Sequence, residues 1–419
     1  MDEPSVLLTD GDMRVTLPVL RSLSKKGIET VVAASDTRAI SFFSRYCKKR
    51  VLCPSSRDDL YHFLNVMRRI IRETKSDILF PVGEWTLMPI SEHRQEIVHH
   101  TKLPWVEHDT IYKTFDKSLT LKLALEEGVP IPRTFFVKND RELEEAAKKA
   151  SYPAVIKPRW SWVWKGGKAL FRRPNYVNSE EELISTYKSV HEDFPFPLIQ
   201  EYVPGKTYDV AVIYNHPRLR AACCIEEHRA HPPTGGYSSF RESVTLDPKM
   251  KDHALRLLKA LEWYGVAELE FKLDPRDSIP KLMEINGRFW GSLEVAIGAG
   301  LDFPYLLYRT AVDGDVKPVS NYKVGVKRRW FEGDLLHLTS VLRNESPIGD
   351  QRLDSWKAIK GFLKLYEKNM AYDCFYWDDP LPFISGFFCG DIPNIVYRKI
   401  VRKLEKLQTK FFGGEAFTS

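Results

Sequence analysis

Cysteine is scarce, and the six that occur form no pattern. Cys47, Cys53, Cys223, Cys224, Cys374 and Cys389 contain no CxxC pair and no zinc-like spacing. A disulfide framework and a structural zinc site are therefore not expected, and the thiols read as reduced and mostly buried. Long apolar runs are missing too. No stretch of about 20 apolar residues occurs, so no spanning helix is expected. The opening residues, MDEPSVLLTDG, are acidic where a secretory signal is basic, and no long apolar core follows. The expectation is a protein that stays in the cytoplasm. A large charge excess is also lacking. The formal charge is +6. Much of it comes from Arg398, Lys399, Arg402, Lys403, Lys406 and Lys410, set against Glu405 alone. With that tail set aside, bulk charge gives no support for a nucleic-acid partner. Two common phosphate-binding signatures are absent as well: the first strand–loop lacks G-x-G-x-x-G, and the chain has no G-x-x-x-x-G-K-[ST].

The 419 residues are 43% hydrophobic and 28% charged, an ordinary globular balance. The length suggests two or three packed subdomains. Val6-Leu7-Leu8, a helical pattern through Leu17, Leu20 and Leu23, and Glu29-to-Ala33 make a strand–helix–strand unit. A helix near 58–73 and a strand from Asp77 to Val82 repeat the pattern, so a parallel sheet is predicted. Ligands of such a sheet sit at strand carboxyl ends, here Asp10-Gly11-Asp12 and Val82-Gly83-Glu84-Trp85. Residues 111–205 read as a small α+β unit with strands ending at Val137, Lys157, Phe171 and Glu201. Residues 206–320 read as a strand-rich block, and 321–419 as an extension.

Four features in that middle region suit phosphate chemistry. Asp116-Lys117 opens a helix, and Lys157 ends an apolar strand, where a cation is costly unless it meets an anion. Lys165-Gly166-Gly167-Lys168 is a glycine pair flanked by cations, which lets backbone amides approach phosphate oxygens. Gln200-Glu201-Tyr202-Val203-Pro204-Gly205 ends a strand in a turn that offers backbone groups to an adenine edge. Each feature alone also reads as ordinary surface structure.

The densest signal is Glu268-Leu269-Glu270-Phe271-Lys272, then a turn, then Met283-Glu284-Ile285-Asn286-Gly287-Arg288. Alternation places Glu284 and Asn286 on one strand face, and a hairpin would bring Glu270 beside them. Three hard oxygen ligands suit Mg²⁺, which completes its shell with water and phosphate oxygens. Arg288 on the same face suits a developing phosphoryl or carboxylate charge. The competing reading is a solvated polar sheet face.

In the order DK, VIKP, KGGK, QEYVPG, GVAELEFK, MEINGRFWGS, the chain resembles the ATP-grasp superfamily over about residues 110–310, and most specifically in the last motif. Its flavour resembles the carboxylate–amine ligase and carbamoyl phosphate synthase-like branch. The resemblance implies an α/β fold with an N-terminal Rossmann-like domain (1–110), a lid (111–205) and an antiparallel catalytic domain (206–320). It implies ATP and Mg²⁺, or Mn²⁺, as cofactors. Lys117 and Lys157 would contact ATP phosphates, with Lys165, Gly166 and Gly167 in a mobile covering loop. Glu201, Tyr202 and Val203 would line the adenine pocket, and Asp209 would substitute for the family's ribose-binding acid. Glu270, Glu284 and Asn286 would hold the metal, while Arg288 and Lys157 would serve the acyl-phosphate step. The implied reaction joins a small-molecule carboxylate to an amine. A catalytically silent nucleotide-binding protein and an ATP-grasp kinase or carboxylase are the alternatives.

On the substrate side, Glu84 lies at a strand end, and Arg229 lies in a polar stretch from Glu226 to Ser239 that reads as a substrate-capturing loop. Arg328-Arg329-Trp330 reads as bordering the pocket or as a strand edge. At the C-terminus Ile392, Val396, Ile400, Leu404, Leu407 and Phe411 fall on one helical side, opposite the basic run. Such a helix suits a peripheral membrane contact, against the plainer reading that it packs on the protein's own core. A homodimer completes the partner expectations.

Overall fold

The computed structural model describes residues 3–345, 348 and 353–389. The basic C-terminal helix expected from residue 392 lies outside the described residues. Short apolar runs separated by helices build the first layer. Strands β1 (Val6–Leu8), β2 (Thr30–Ala34), β3 (Lys49–Leu52) and β4 (Ile78–Phe80) form a parallel sheet in the order β3-β2-β1-β4. Every residue of β1, β2 and β4 is buried, which is why these strands read as unbroken apolar runs instead of alternating ones. The helix Leu60–Thr74 starts where the Asp59 side chain accepts from the His62 amide at 2.9 Å.

The second unit carries β5 (Thr134–Phe135), β6 (Ala154–Lys157), β7 (Trp162–Lys165), β8 (Lys168–Phe171), β9 (Asn175–Val177) and β10 (Leu198–Glu201). Four of these make an antiparallel sheet in the order β5-β10-β6-β9, and β7 and β8 form a separate hairpin. Helices Asp140–Lys149 and Glu180–His191 cover the sheet and give the unit its own apolar core, with Leu143, Ile156, Leu183 and Ile199 inside. Strand β7 adds to the sequence reading, which gave residues 158–167 no element: Trp162–Lys165 pairs residue for residue with β8.

The third unit has β11 (Lys206–Asn215), β12 (Arg218–His231), β13 (Tyr237–Val244), β14 (Tyr264–Asp274), β15 (Ile279–Asn286), β16 (Lys327–Arg329) and β17 (Met370–Tyr372). They form one sheet in the order β15-β14-β11-β12-β13-β16-β17, antiparallel except for the last pair. Two expectations change here. Glu226–Ser239 is not a long loop: it is the β12–β13 hairpin, with only residues 232–236 outside the strands. Register shifts between Glu227 and Arg229 and between Arg229 and Ala230 break the alternation that would have marked it. The residues after 320 are also no appendage, because β16 and β17 extend this sheet. Arg329 is a wholly buried member of β16 between β13 and β17, not an exposed edge.

The C-terminal segment is tied back by buried charges. Asp379 accepts from Arg21 Nε at 2.8 Å and from Ser44 Oγ at 2.6 Å, which joins it to the first unit. Asp334, also buried, accepts from Arg229 Nε at 2.5 Å and from Arg329 Nε at 2.7 Å. Among the described residues no helix is long and apolar enough to cross a membrane, and Cys47, Cys53, Cys223, Cys224 and Cys374 are free and buried.

Removing one member of a buried ion pair strands the others without compensation. Asp334→Ala is expected to lower unfolding free energy by roughly 3–5 kcal/mol, read from urea or guanidinium unfolding. Asp354→Ala, which removes only a helix cap, should cost about 1 kcal/mol.

Candidate active site

Asp116 is fully buried and caps the helix Lys117–Glu126, accepting from the Ser118 amide at 2.9 Å. Arg159, just beyond β6, clamps the same carboxylate through Nε at 3.1 Å. The cap sets Lys117 at the first helical position. From there its Nζ reaches Ser161 Oγ at 2.9 Å and Glu284 Oε2 at 3.4 Å. The Asp-Lys pair thus works as a unit in which the acid fixes the helix start and the lysine is delivered to the sheet.

On β14 and β15 the strand register places Glu270 opposite Glu284 and Glu268 opposite Asn286. A register shift after Glu270 accommodates the extra residue, Met283. Asn286 Nδ2 donates to Glu268 Oε2 at 3.1 Å, and Asn286 Oδ1 accepts from Arg288 Nη2 at 2.9 Å. Gly287 sits between them because a Cβ there would meet the Trp263 ring at 2.6 Å. The Trp105 indole holds the Gly287 carbonyl at 3.0 Å.

The electrostatics follow from burying like charges together. Burial first, and then the facing Glu284, push the Glu270 carboxyl up to about 7. Burial lifts Glu268 to about 7 as well, opposed by Arg288. Glu284 goes the other way: Lys117, Lys157 and Arg288 outweigh its burial and hold it below the usual carboxylate range. Burial draws Lys157 down to about 8, resisted by Glu284 and Glu270. Three glutamates and an amide on this sheet face therefore meet three cations, with Lys117 and Lys157 reaching in from neighbouring elements.

Among the described residues no three His, Cys, Asp or Glu side chains form a metal-enclosing group. The set here is sparser, with two facing glutamates and an amide. That suits Mg²⁺, which takes few protein oxygens and fills its shell with water and phosphate. The elevated Glu270 carboxyl marks a place where a divalent charge would relieve repulsion, so the residues present fit the ion.

The other expected residues are distributed as follows. Glu201 lies at the end of β10, accepting from the Arg133 amide at 3.0 Å and pairing with Arg276 at 3.0 Å and Lys281 at 3.3 Å. Val203 is buried, and its carbonyl accepts from Lys272 Nζ at 3.3 Å, with that nitrogen 5.5 Å from the Tyr202 ring centre. Asp209 lies away from the hinge turn. It is buried on β11 directly opposite Glu270, and burial with Glu268 nearby raises its pKa well above normal. Arg229, expected on the substrate side, pairs with Asp334 through two of its three guanidinium nitrogens, Nε at 2.5 Å and Nη2 at 3.0 Å. Glu84 stands at the start of helix Glu84–Glu92 and accepts from the Trp162 indole at 3.1 Å.

Gly166 and Gly167 take φ values of 60° and 80°, the two left-handed positions of the β7–β8 turn. This turn does not hang free. The Gly167 carbonyl accepts from the Leu60 amide at 3.2 Å, and the Ala169 amide donates to the Arg57 carbonyl at 2.7 Å. Trp162 stacks on Trp85 with ring centres 4.2 Å apart, and Lys165 pairs with Asp193 at 2.8 Å. Two tryptophans of β7 explain this arrangement: Trp162 is buried against Trp85, and the Trp164 indole donates to the Ser56 carbonyl at 2.8 Å. Glu268 and Lys272 were absent from the expected site, although period-two alternation outward from Glu270 points to both.

Comparisons with known proteins meet this geometry. The family model described as ATP-grasp in the biosynthetic pathway with Ter operon matches residues 193–333. The D-aspartate ligase of Enterococcus faecium is 23% identical over 279 residues, covering 61% of this chain and 64% of that one. A carbamoyl phosphate synthase large chain from Methanocorpusculum labreanum is 24% identical, covering 74% of this chain and 29% of that one. The chain thus spans less than two thirds of the length of these curated relatives. The biotin carboxylase of Campylobacter jejuni has a TM-score of 0.62 at 18% identity, over 78% of this chain and 74% of that one. The chain carries an ATP-grasp domain. Within that fold, β14 and β15 with their glutamates fall inside the matched family segment, while Lys117, Lys157 and the β7–β8 hairpin precede it.

Two outcomes follow. Carboxyls raised from the usual 4.5 to about 7 favour the protonated folded protein. Their contribution to stability is present below the ordinary value and is lost as pH rises through about 7. A divalent cation needs the ionised forms, so Mg²⁺–nucleotide affinity should weaken below about pH 7, by about tenfold per pH unit for each proton displaced. Titration calorimetry at about pH 6 and about pH 8 reads this, and a flat profile would contradict the buried-pair geometry. Separately, Trp85→Ala should speed amide exchange across residues 162–171 about tenfold, the loss of one aromatic pair, with little change in strand β1.

Proposed function

We propose that this chain is an ATP- and Mg²⁺-dependent carboxylate–amine ligase that forms an amide bond through an acyl phosphate. The observation that carries the reading is the facing pair Glu270–Glu284, with Asn286 and Arg288 on one side and Lys117 and Lys157 on the other. In the first step a substrate carboxylate oxygen attacks the γ-phosphorus of ATP, and ADP leaves. In the second an amine attacks the acyl carbon, inorganic phosphate leaves, and the nitrogen gives up a proton. The barrier falls mainly through positioning and charge neutralisation.

Glu270, Glu284 and Asn286 would hold Mg²⁺, which supplies positive charge between the phosphate oxygens. Lys117 and Lys157 would offset phosphate charge, and Arg288 would meet the charge that develops on the transferred group or the acyl oxygen. Tyr202, Val203 and the backbone at Glu201 would frame the adenine, with Lys272 joining them. Asp209 fits better as a fourth acid of the cluster than as a ribose ligand. Glu84 remains a substrate-side candidate because it stands at the carboxyl end of β4. The hairpin carrying Lys165, Gly166 and Gly167 would have to leave its seat on the first unit to cover the phosphates. The D-aspartate ligase relative supports an amino-acid-sized substrate. A silent nucleotide-binding protein has little use for two half-buried glutamates facing each other, whose mutual repulsion is costly.

The test is ADP release from Mg²⁺–ATP against amino acids singly and in pairs, with bicarbonate and alcohols included, for the wild type and Glu284→Gln. Release that requires a carboxylate and an amine together, reduced about 10²–10³-fold in the variant, is the expected result. Release with bicarbonate in place of the substrate carboxylate would shift the assignment to a carboxylase, and release with an alcohol alone would shift it to a kinase. Failure to bind Mg²⁺–ATP at all would sink the reading.

A further inference from the structure

The second and third units share the charges of the candidate active site, and the chain joins them at the hinge between β10 and β11. A further joint lies far from that hinge in sequence. Tyr176 is on β9 of the second unit, and its hydroxyl donates to the Thr234 carbonyl at 2.6 Å. Thr234 is in the turn between β12 and β13 of the third unit. The bond therefore crosses from one unit to the other.

Tyr176 stands on the face of the small sheet that looks toward the acid cluster. It lies opposite Val155 on β6, and Lys157 is two residues further along that strand, so the two share a face. The Glu270 carboxyl perturbs the ionisation of both. The Tyr176 ring also meets the Tyr202 ring edge-on, with centres 6.0 Å apart. Burial pushes its hydroxyl up to about 12, the Thr234 contact resisting and Tyr202 and Glu270 adding to the rise, so it stays a donor at neutral pH.

The turn that supplies the acceptor is tight and braced. Gly235 takes a φ of 133°, and a Cβ there would stand 3.4 Å from the Tyr176 hydroxyl. A Cβ on Gly236 would meet the His231 carbonyl oxygen at 2.4 Å. Glycine thus lets the turn bring a backbone carbonyl up to the tyrosine. Behind it, the helix Phe331–Leu342 holds β12. His337 Nδ1 and the Ala230 carbonyl are 2.7 Å apart, and Ser340 Oγ and His231 Nδ1 are 3.3 Å apart. Asp334 of the same helix pairs with Arg229. The segment after residue 320 supports the turn that reaches the second unit.

On the nucleotide-binding reading of the site, we propose that the Tyr176–Thr234 bond is a clasp that fixes the gap between the Lys157-bearing sheet and the Glu270-bearing sheet. Tyr176 is then a positioning residue for a Mg²⁺–polyphosphate held between them, with no chemical step of its own. A polyphosphate meets lysines on one side and a glutamate-bound cation on the other, and it gains from both only at one separation. Loss of the clasp leaves each face intact and frees the distance between them.

The test is Tyr176→Phe in the full chain, which keeps the ring against Tyr202 and removes only the hydroxyl; circular dichroism verifies its fold. Titration calorimetry should show Mg²⁺–ATP affinity weakened roughly fivefold, the worth of one neutral hydrogen bond. Amide exchange then separates positioning from damage. In the wild type, Mg²⁺–ATP should slow exchange at residues 175–177 and 234–236 together. In the variant saturated with Mg²⁺–ATP, residues 284–288 should stay protected as in the wild type, while 234–236 exchange as in the ligand-free protein. Equal affinity in variant and wild type would overturn the clasp and leave the ligase reading standing. So would a loss of protection at 284–288 that matches the loss at 234–236, which would make Tyr176 a merely structural residue. A wild type that binds no Mg²⁺–ATP would overturn both.

Discussion

Everything in the candidate active-site half of this molecule depends on holding carboxylates close together on one sheet face. Glu270 and Glu284 face each other across neighbouring strands, with Glu268 and Asp209 beside them on the same sheet face. Left alone, such a set would take up protons or force the strands apart. Here the repulsion is shared unequally. Glu284 stays ionised because Lys117, Lys157 and Arg288 crowd it, while Glu270 and Glu268 rise toward neutrality. The arrangement is poised for added positive charge, and the lysines are poised for added negative charge. In the proposed reaction a cation together with a polyphosphate would satisfy both at once.

The rest of the fold brings those charges to one place and keeps them there. Asp116 and Arg159 fix the start of the helix that delivers Lys117. The antiparallel sheet of the second unit ends β6 at Lys157 and β10 at the Glu201 hinge. Trp263 and Thr114 leave room only for glycine between Asn286 and Arg288, and Trp105 holds that glycine's carbonyl. At the far end of the large sheet, Asp334 and Asp379 anchor the C-terminal segment by taking up arginines from three parts of the chain. These buried ion pairs specify how the segment docks. Hydrophobic contact alone, being non-directional, would not.

Much of this was legible along the chain. Short apolar runs with helical patterns between them described the parallel sheet, because strands buried on both faces need no alternation. Period-two alternation from Glu284 to Asn286 and the hairpin turn before them described the acid pair. The same alternation carried out to Glu268 and Lys272 would have completed the face. The β12–β13 hairpin was hidden by register irregularities around Arg229, where residues on one face no longer fall two apart. Its polar, glycine-containing tip then dominated the reading. Strand β7 was not read as a strand because it is only four residues long and runs straight into the glycine pair.

The sequence by itself determined most local units and the chemistry that they carry: the strands of the parallel sheet and of the β14–β15 hairpin, which glutamates end on a shared face, and which turn requires two glycines. These follow from periodicity, capping and backbone sterics, which act over a few residues. Tertiary structure alone decided that Asp209 joins the glutamates, that Arg229 pairs with Asp334, that the glycine hairpin sits on Trp85, and that residues after 320 complete the sheet. Each of these is a contact between residues far apart in the chain. Charge pairing and ring stacking depend on distance in space, and that distance exists only once the units have packed.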